Sequence, residues 1–217
     1  MTGAVWRVLP DVAALDRLFD YWALPDTPVP VGTVGRVPLH GRRVRGWVLA
    51  LADEPDVDPG QVRPVRAVVS AGPPADVVAL CEWAAWRWAG PRASFLRAAS
   101  APNVVRVGDV TRDVAVYPPI ESPLPLPATE RGLIVWPPAR PRDELVASLL
   151  APEGSTVVVA PDPAERARLV TAAEASGRLV VEVTGDAPTA ARTAAWETAR
   201  HGACVVVGGR VAALTPV

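Results

Sequence analysis

Val34-Gly-Arg-Val-Pro-Leu-His-Gly-Arg-Arg-Val-Arg-Gly-Trp-Val48 is the stretch on which the reading of this chain turns. Thr33–Pro38 and Arg45–Ala52 alternate well enough to be strands, joined by the His40-Gly41 turn. The arginines between them, Arg36, Arg42, Arg43 and Arg45, admit two readings. They blunt the edge of a solvated ribbon, or they meet phosphates while the glycine turn lets backbone approach a ligand.

Upstream, Val5–Leu9 reads as a short strand closed by Pro10, and downstream Arg63–Ser70 is a third strand candidate. Proline- and glycine-bearing segments, Asp53–Gly60 and Ala71–Pro74, separate these runs. Ala75–Ala89 has helical periodicity and stops at Gly90-Pro91, and a second short helix, Ser94–Ser100, stops at Pro102. Trp83 and Trp86 fall three apart on one helix face, with Trp88 beside them. That spacing suits core or an interdomain seam better than a stacking platform for single strands. The first hundred residues therefore read as a small β-rich unit with C-terminal helices.

Pro118, Pro119, Pro123, Pro125 and Pro127 mark residues 105–130 as an extended linker. The rhythm then changes. Leu133–Val135, Thr156–Ala160, Val180–Thr184 and Ala203–Gly208 are apolar strand candidates, with helix-like runs at Arg142–Leu150, Pro163–Ser176 and Thr189–Arg200. The valine runs 157–159 and 205–207 suit strands covered on both faces. Alternating β and α elements at these spacings predict a parallel sheet. The fold class is α/β overall, in three parts: 1–104 β-rich, 105–130 linker, 131–217 α/β lobe.

Half of the 217 residues are hydrophobic, which supports a buried core, and the net charge is -1. Bulk charge therefore does not announce a nucleic-acid partner; charge placement does more. All 22 basic residues are arginine, and Arg36, Arg42, Arg43, Arg45, Arg63 and Arg66 cluster in the first part, each able to present a planar fork to a phosphate. Cys81 and Cys204 lie in apolar runs with no metal-ligand spacing, so both read as buried core thiols, and His40 and His201 have no metal partner nearby. No metal and no cofactor is expected. With no signal-peptide layout and no long apolar run, a cytoplasmic, nucleoid-associated protein without a membrane partner is the default expectation.

Phe19-Asp20-Tyr21, then Val37-Pro38-Leu39-His40-Gly41, then Arg66 before Ala67-Val-Val69, resemble in order and spacing the DNA-end-binding domain of the primosomal protein N′ (PriA) family of replication-restart helicases. The resemblance covers residues 4–102. It implies that Asp20 hydrogen-bonds the terminal base of a 3′ end, that the turn makes room for the sugar, and that Arg66 helps hold the end. Phe19, Asp20, Tyr21, His40, Gly41, Arg42, Arg43 and Arg66 are thus the candidate DNA-binding residues. Two positions depart from the family pattern: Leu39 replaces an aromatic, and His40 a first turn glycine.

The later α/β run is similar to the first RecA-like lobe of the same family. Val205-Val-Val-Gly-Gly-Arg-Val-Ala-Ala-Leu-Thr-Pro216, Val157–Pro161, and Trp196 with Arg200 carry that likeness. Where the family has its ATP-binding loop, this chain reads Trp136-Pro-Pro-Ala-Arg-Pro-Arg-Asp143. Three prolines lack N–H groups, and there is no lysine, serine or threonine to hold phosphates and magnesium. The linker is too short for the family's winged-helix domain, and the acidic strand and zinc region would fall beyond Val217, so a truncated chain or a shorter product is implied. The expectation is a non-enzymatic DNA binder of replication restart. Its partners would be forks and 3′ ends, with single-stranded DNA-binding protein and other primosome proteins as implied partners. A primosome scaffold with a decayed DNA pocket is the alternative, and a true helicase the least supported reading.

Overall fold

The computed structural model describes residues 4–25, 27, 29–108, 132–137 and 139–217. Most of the 105–130 linker lies outside them. Two compact units emerge. One comprises Met1–Asp109 with Pro188–Glu197 and Leu214–Pro216; the other comprises Val110–Ala187 with Thr198–Ala213 and Val217.

The first unit is a six-stranded sheet that curls on itself. Its strands are β1 (Val5–Pro10), β2 (Phe19–Trp22), β3 (Val34–Leu39), β4 (Arg42–Ala52), β5 (Arg63–Pro64) and β6 (Ala67–Ser70), in the order β5-β2-β1-β4-β3-β6. The β3–β4 hairpin forms as its sequence suggests, with Leu39 paired to Arg42 across the two-residue turn. Two expectations are corrected here. Residues 63–70 are two short strands on opposite edges of the sheet, not one. Phe19–Trp22, read above only as a motif, is also a strand, since residue-by-residue pairing with Val5–Val8 satisfies its backbone groups.

The split at residues 65–66 follows from the curl. The Val65 N–H donates to the Trp22 carbonyl (3.0 Å) and the Arg66 N–H to the Arg36 carbonyl (2.8 Å), so adjacent residues reach both edges. Gly46 permits that curvature: a Cβ there would sit 2.6 Å from Val8 Cγ1 and 2.8 Å from the Leu9 carbonyl oxygen. A bulge in β4 adds twist, with Arg7 opposite Ala50 and Val8 opposite Val48.

The two faces of the sheet bury different sets. Trp6, Val8, Tyr21, Val37, Val48 and Val65 fill the inside of the curl. On the outer face Leu9, Val34 and Trp47 pack under helices α1 (Ala75–Arg87) and α2 (Arg92–Ala99). The Trp47 indole N–H donates to the Ser100 hydroxyl (2.9 Å), satisfying a buried donor. Helix α1 contributes Val77, Val78, Cys81, Ala84 and Ala85 to this core. Its tryptophans point away from it. Trp83, Trp86 and Trp88 are 50, 77 and 61% exposed, which overturns the expectation of core. The reason is register: small residues at 81, 84 and 85 take the buried stripe and turn the indoles outward.

The second unit contains a three-stranded parallel sheet, β7 (Thr156–Val159), β8 (Val180–Val183) and β9 (Val205–Gly208), ordered β7-β9-β8. Helix α4 (Pro163–Ala175) links β7 to β8, α5 (Thr189–Arg200) links β8 to β9, and α3 (Asp143–Leu149) precedes them. The Asp162 carboxylate caps α4 by accepting from the Glu165 N–H (2.7 Å), with Pro163 at the first helical position. Central β9 is buried throughout. Edge strand β7 is not: Val157 and Val159 are partly exposed, against the expectation of cover on both faces. Leu133–Val135 is likewise no strand. Among the described residues it pairs with no neighbour, and it stays exposed; an apolar run without a partner edge cannot satisfy its backbone as sheet. Among the described residues no helix is long and apolar enough to cross a membrane.

Candidate nucleic-acid interface

Sheet register sorts the candidate residues by face. On β2, Phe19 and Tyr21 stand opposite Val8 and Trp6 and point into the curl. Tyr21 is buried, and burial raises its phenol pKa. Its hydroxyl donates to the Pro38 carbonyl at 3.0 Å, tying β2 to the base of the β3–β4 turn. Motif segments seventeen residues apart are thereby joined. Phe19 is half-buried, with the Arg17 guanidinium 4.5 Å above its ring centre.

Asp20 faces the other way, opposite Arg7. Its side chain is only 7% exposed and already committed. One carboxylate oxygen accepts from the Asp56 N–H (2.6 Å) and the other lies 3.6 Å from Arg7 Nε. Arg7 in turn reaches the Asp56 carboxylate at 2.5 Å. The sequence offered no signal for this triad, because Arg7 and Asp56 lie 49 residues apart.

His40 and Gly41 both adopt left-handed backbone, φ 46° and 76°, as a tight hairpin turn between right-twisted strands requires. Both are exposed, and a side chain at Gly41 would meet only open space. Glycine is therefore needed there for backbone conformation, and the turn tip is an open surface.

The arginines form a row. Arg36 pairs with Arg45 across β3–β4 and with Ala67 across β3–β6, while Pro38 pairs with Arg43. Arg36, Arg43 and Arg45 share the outer face with Trp47, since alternate residues on a strand point the same way. Arg66 adjoins them through its backbone bond to Arg36. Arg36, Arg42, Arg43, Arg45, Arg63 and Arg66 are all exposed. Among the described residues none of the six is within ion-pair distance of a carboxylate, whereas Arg7, Arg92, Arg97, Arg140, Arg142 and Arg166 are all paired. The missed members, Arg36 and Arg45, were legible as basic residues, but only the strand register puts them in line with Arg43 and Arg66.

In the second unit the proline-rich stretch closes on itself. The Trp136 indole N–H donates to the carbonyls of Arg140 (3.0 Å) and Pro141 (3.2 Å), and the Arg140 guanidinium lies 4.7 Å from the Trp136 ring centre. Arg140 pairs with Glu144 (2.6 Å) and Arg142 with Glu165. Pro138 lies outside the described residues. Among those described, no three His, Cys, Asp or Glu side chains gather as a metal site.

Residues 7–101 match the family model described as the 3′ DNA-binding domain (3′BD) of PriA. No curated protein matches the chain. The matched span runs from within β1 through α2, and holds every candidate residue on the curled sheet. Over residues 7–101, then, this chain is similar to the 3′ DNA-binding domain of PriA.

Proposed function

We propose that the protein recognises branched DNA and the 3′ end of a nascent strand during replication restart, without ATPase or helicase activity. The observation that carries this reading is the row of exposed, uncompensated arginines beside the His40–Gly41 turn, on the domain that matches the 3′ DNA-binding family. Unpaired guanidinium groups in a line supply phosphate contacts that position a strand. The turn, held by Tyr21, gives a terminal nucleotide an open place to sit. The α/β unit is a RecA-like lobe in this reading, supported by its three parallel strands. Its role is structural support or docking. Prolines 137, 138 and 141 have no N–H to offer a phosphate, and Arg140 and Arg142 already have carboxylate partners.

Fluorescence anisotropy with a labelled fork tests it. Binding to a free 3′-OH end should exceed binding to a 3′-phosphate end, and Asp20→Ala should remove the difference. Equal binding to both ends by the parent would defeat end recognition. One observation favours a second reading, a primosome scaffold with a decayed pocket: the Asp20 carboxylate is spoken for by the Asp56 N–H and by Arg7. Absence of salt-dependent DNA binding would support that alternative.

A further inference from the structure

Three of the eight tryptophans, Trp83, Trp86 and Trp88, stand exposed within six residues on the outer side of α1. Indoles left this exposed gain little from folding, so a cluster of them marks a contact surface. They are not splayed at random. Trp83 and Trp88 meet edge to face at 5.4 Å, and Trp88 lies nearly parallel to Phe95 with ring centres 6.3 Å apart. The most exposed of them, Trp86, forms one wall of a cleft of about 470 Å³. Its other walls include Asp16, Glu82, Arg92, Gly90 and Pro91. Arg92 is held by Asp16 (2.8 Å) and Glu82 (3.6 Å), so polar groups of both kinds are fixed at the cleft edge.

Two features identify the occupant. Exposed Arg87 lies between Trp86 and Trp88 and has no carboxylate within ion-pair distance among the described residues. Aromatic faces interleaved with a free cation suit a strand with flat bases and charged phosphates. The second feature is continuity. Helices α1 and α2 cover the outer sheet face at Trp47 and Val34, and the arginine row begins on that same face at Arg45 and Arg36, two residues along each strand. The indoles and the arginine row therefore stand on one side of the sheet.

We infer that the Trp83–Trp86–Trp88 surface is a stacking platform for single-stranded DNA, separate from the 3′-end site. An unstacked base lies on the Trp86 indole. Its edge amino groups face the carboxylates of Asp16 and Glu82, and the adjoining phosphate meets Arg87. Duplex DNA, whose bases are already stacked, gains nothing here. The platform lets the domain grip a strand internally, so binding no longer depends on a free end.

The test uses the full chain and a labelled oligodeoxycytidylate, whose bases carry an edge amino group, ending in a 3′-phosphate, which removes the terminal hydroxyl. Trp86→Ala and Trp86→Leu should each weaken binding roughly tenfold, within the roughly 5- to 150-fold range expected for one stacked base, and Trp86→Phe should keep most of it. Circular dichroism and Tm should not change, because the side chain lies outside the core. Binding by Trp86→Ala equal to the parent would overturn the proposal. So would Trp86→Leu binding as well as Trp86→Phe, which would mean an apolar docking surface for a protein segment. Failure of the parent to bind the capped oligomer would also overturn it. The free-end comparison on forks reads the 3′-end site separately, so either reading can fail alone.

Discussion

The hydroxyl of Tyr21 donates to the carbonyl of Pro38 at 3.0 Å, and through that bond β2 is fastened to the base of the hairpin that carries His40 and Gly41. The ring itself is buried against Trp6, Val8 and Val37 inside the curled sheet. One side chain thus holds core and turn together.

Tyr21→Phe keeps the ring and removes the tie. Stability should fall by about 0.5–1.5 kcal/mol, the net worth of one hydrogen bond, in a urea denaturation series. Fork binding should weaken too, because the turn loses its anchor. An unchanged midpoint and unchanged affinity would show that the turn is held by other means.

Arg36, Arg45 and Arg66 should behave as phosphate contacts. Replacing each by alanine should lower affinity about equally for free and capped 3′ ends and reduce the slope of log K against log salt by about 1. A variant that abolished only the preference for a free end would place that arginine at the terminal nucleotide.

Asp20→Ala removes the acceptor of the Asp56 N–H and the counter-charge of Arg7. The stability cost should be about 1 kcal/mol, a hydrogen-bond-scale loss at a little-exposed carboxylate. The informative readout is the ratio of affinities for free and capped ends. If that ratio stays at the parent value, Asp20 serves the fold and not the DNA.

Gly46→Ala places a methyl group 2.8 Å from the Leu9 carbonyl oxygen and 2.6 Å from Val8 Cγ1. Backbone cannot yield as a side-chain tip does, so the curl must open. About 1–3 kcal/mol of destabilisation follows, visible as a lower thermal midpoint. An unchanged midpoint would mean that the curl does not depend on this close approach.

Burial pushes the Cys81 thiol from 9.0 up to about 12, with Glu82 adding to the shift, and raises the Cys204 thiol and the Tyr21 phenol in the same direction. In each case the folded chain holds its proton more tightly than the unfolded chain. Stability is then complete below about pH 9 and falls as pH rises from 9 toward 12. Chemical denaturation at stepped pH should show this decline, shallower in Cys81→Ala. A flat profile up to pH 11 would contradict the burial argument.

The hairpin was legible because its signals are local: alternation on both arms and a glycine able to take positive φ. Helix α4 was legible for the same reason, with Asp162 and Pro163 marking its start. The Phe19-Asp20-Tyr21 motif was visible as residues, but not the opposite orientations of Asp20 and Tyr21, which depend on β2 being a strand paired with β1. Leu133–Val135 misled because apolarity alone does not supply a partner edge.

By itself the sequence determined the local elements, the arginine-rich hairpin and the likeness of the first hundred residues to a 3′-end-binding domain. Each of these rests on periodicity, turn chemistry or motif spacing within a short span. Only the tertiary structure decided that residues 65 and 66 join opposite sheet edges, that Asp20 is engaged by Arg7 and Asp56, that the arginines form a row, and that the α1 tryptophans face outward. Those outcomes depend on strand register and helix rotation, which pairings between distant residues set and no single stretch of chain encodes.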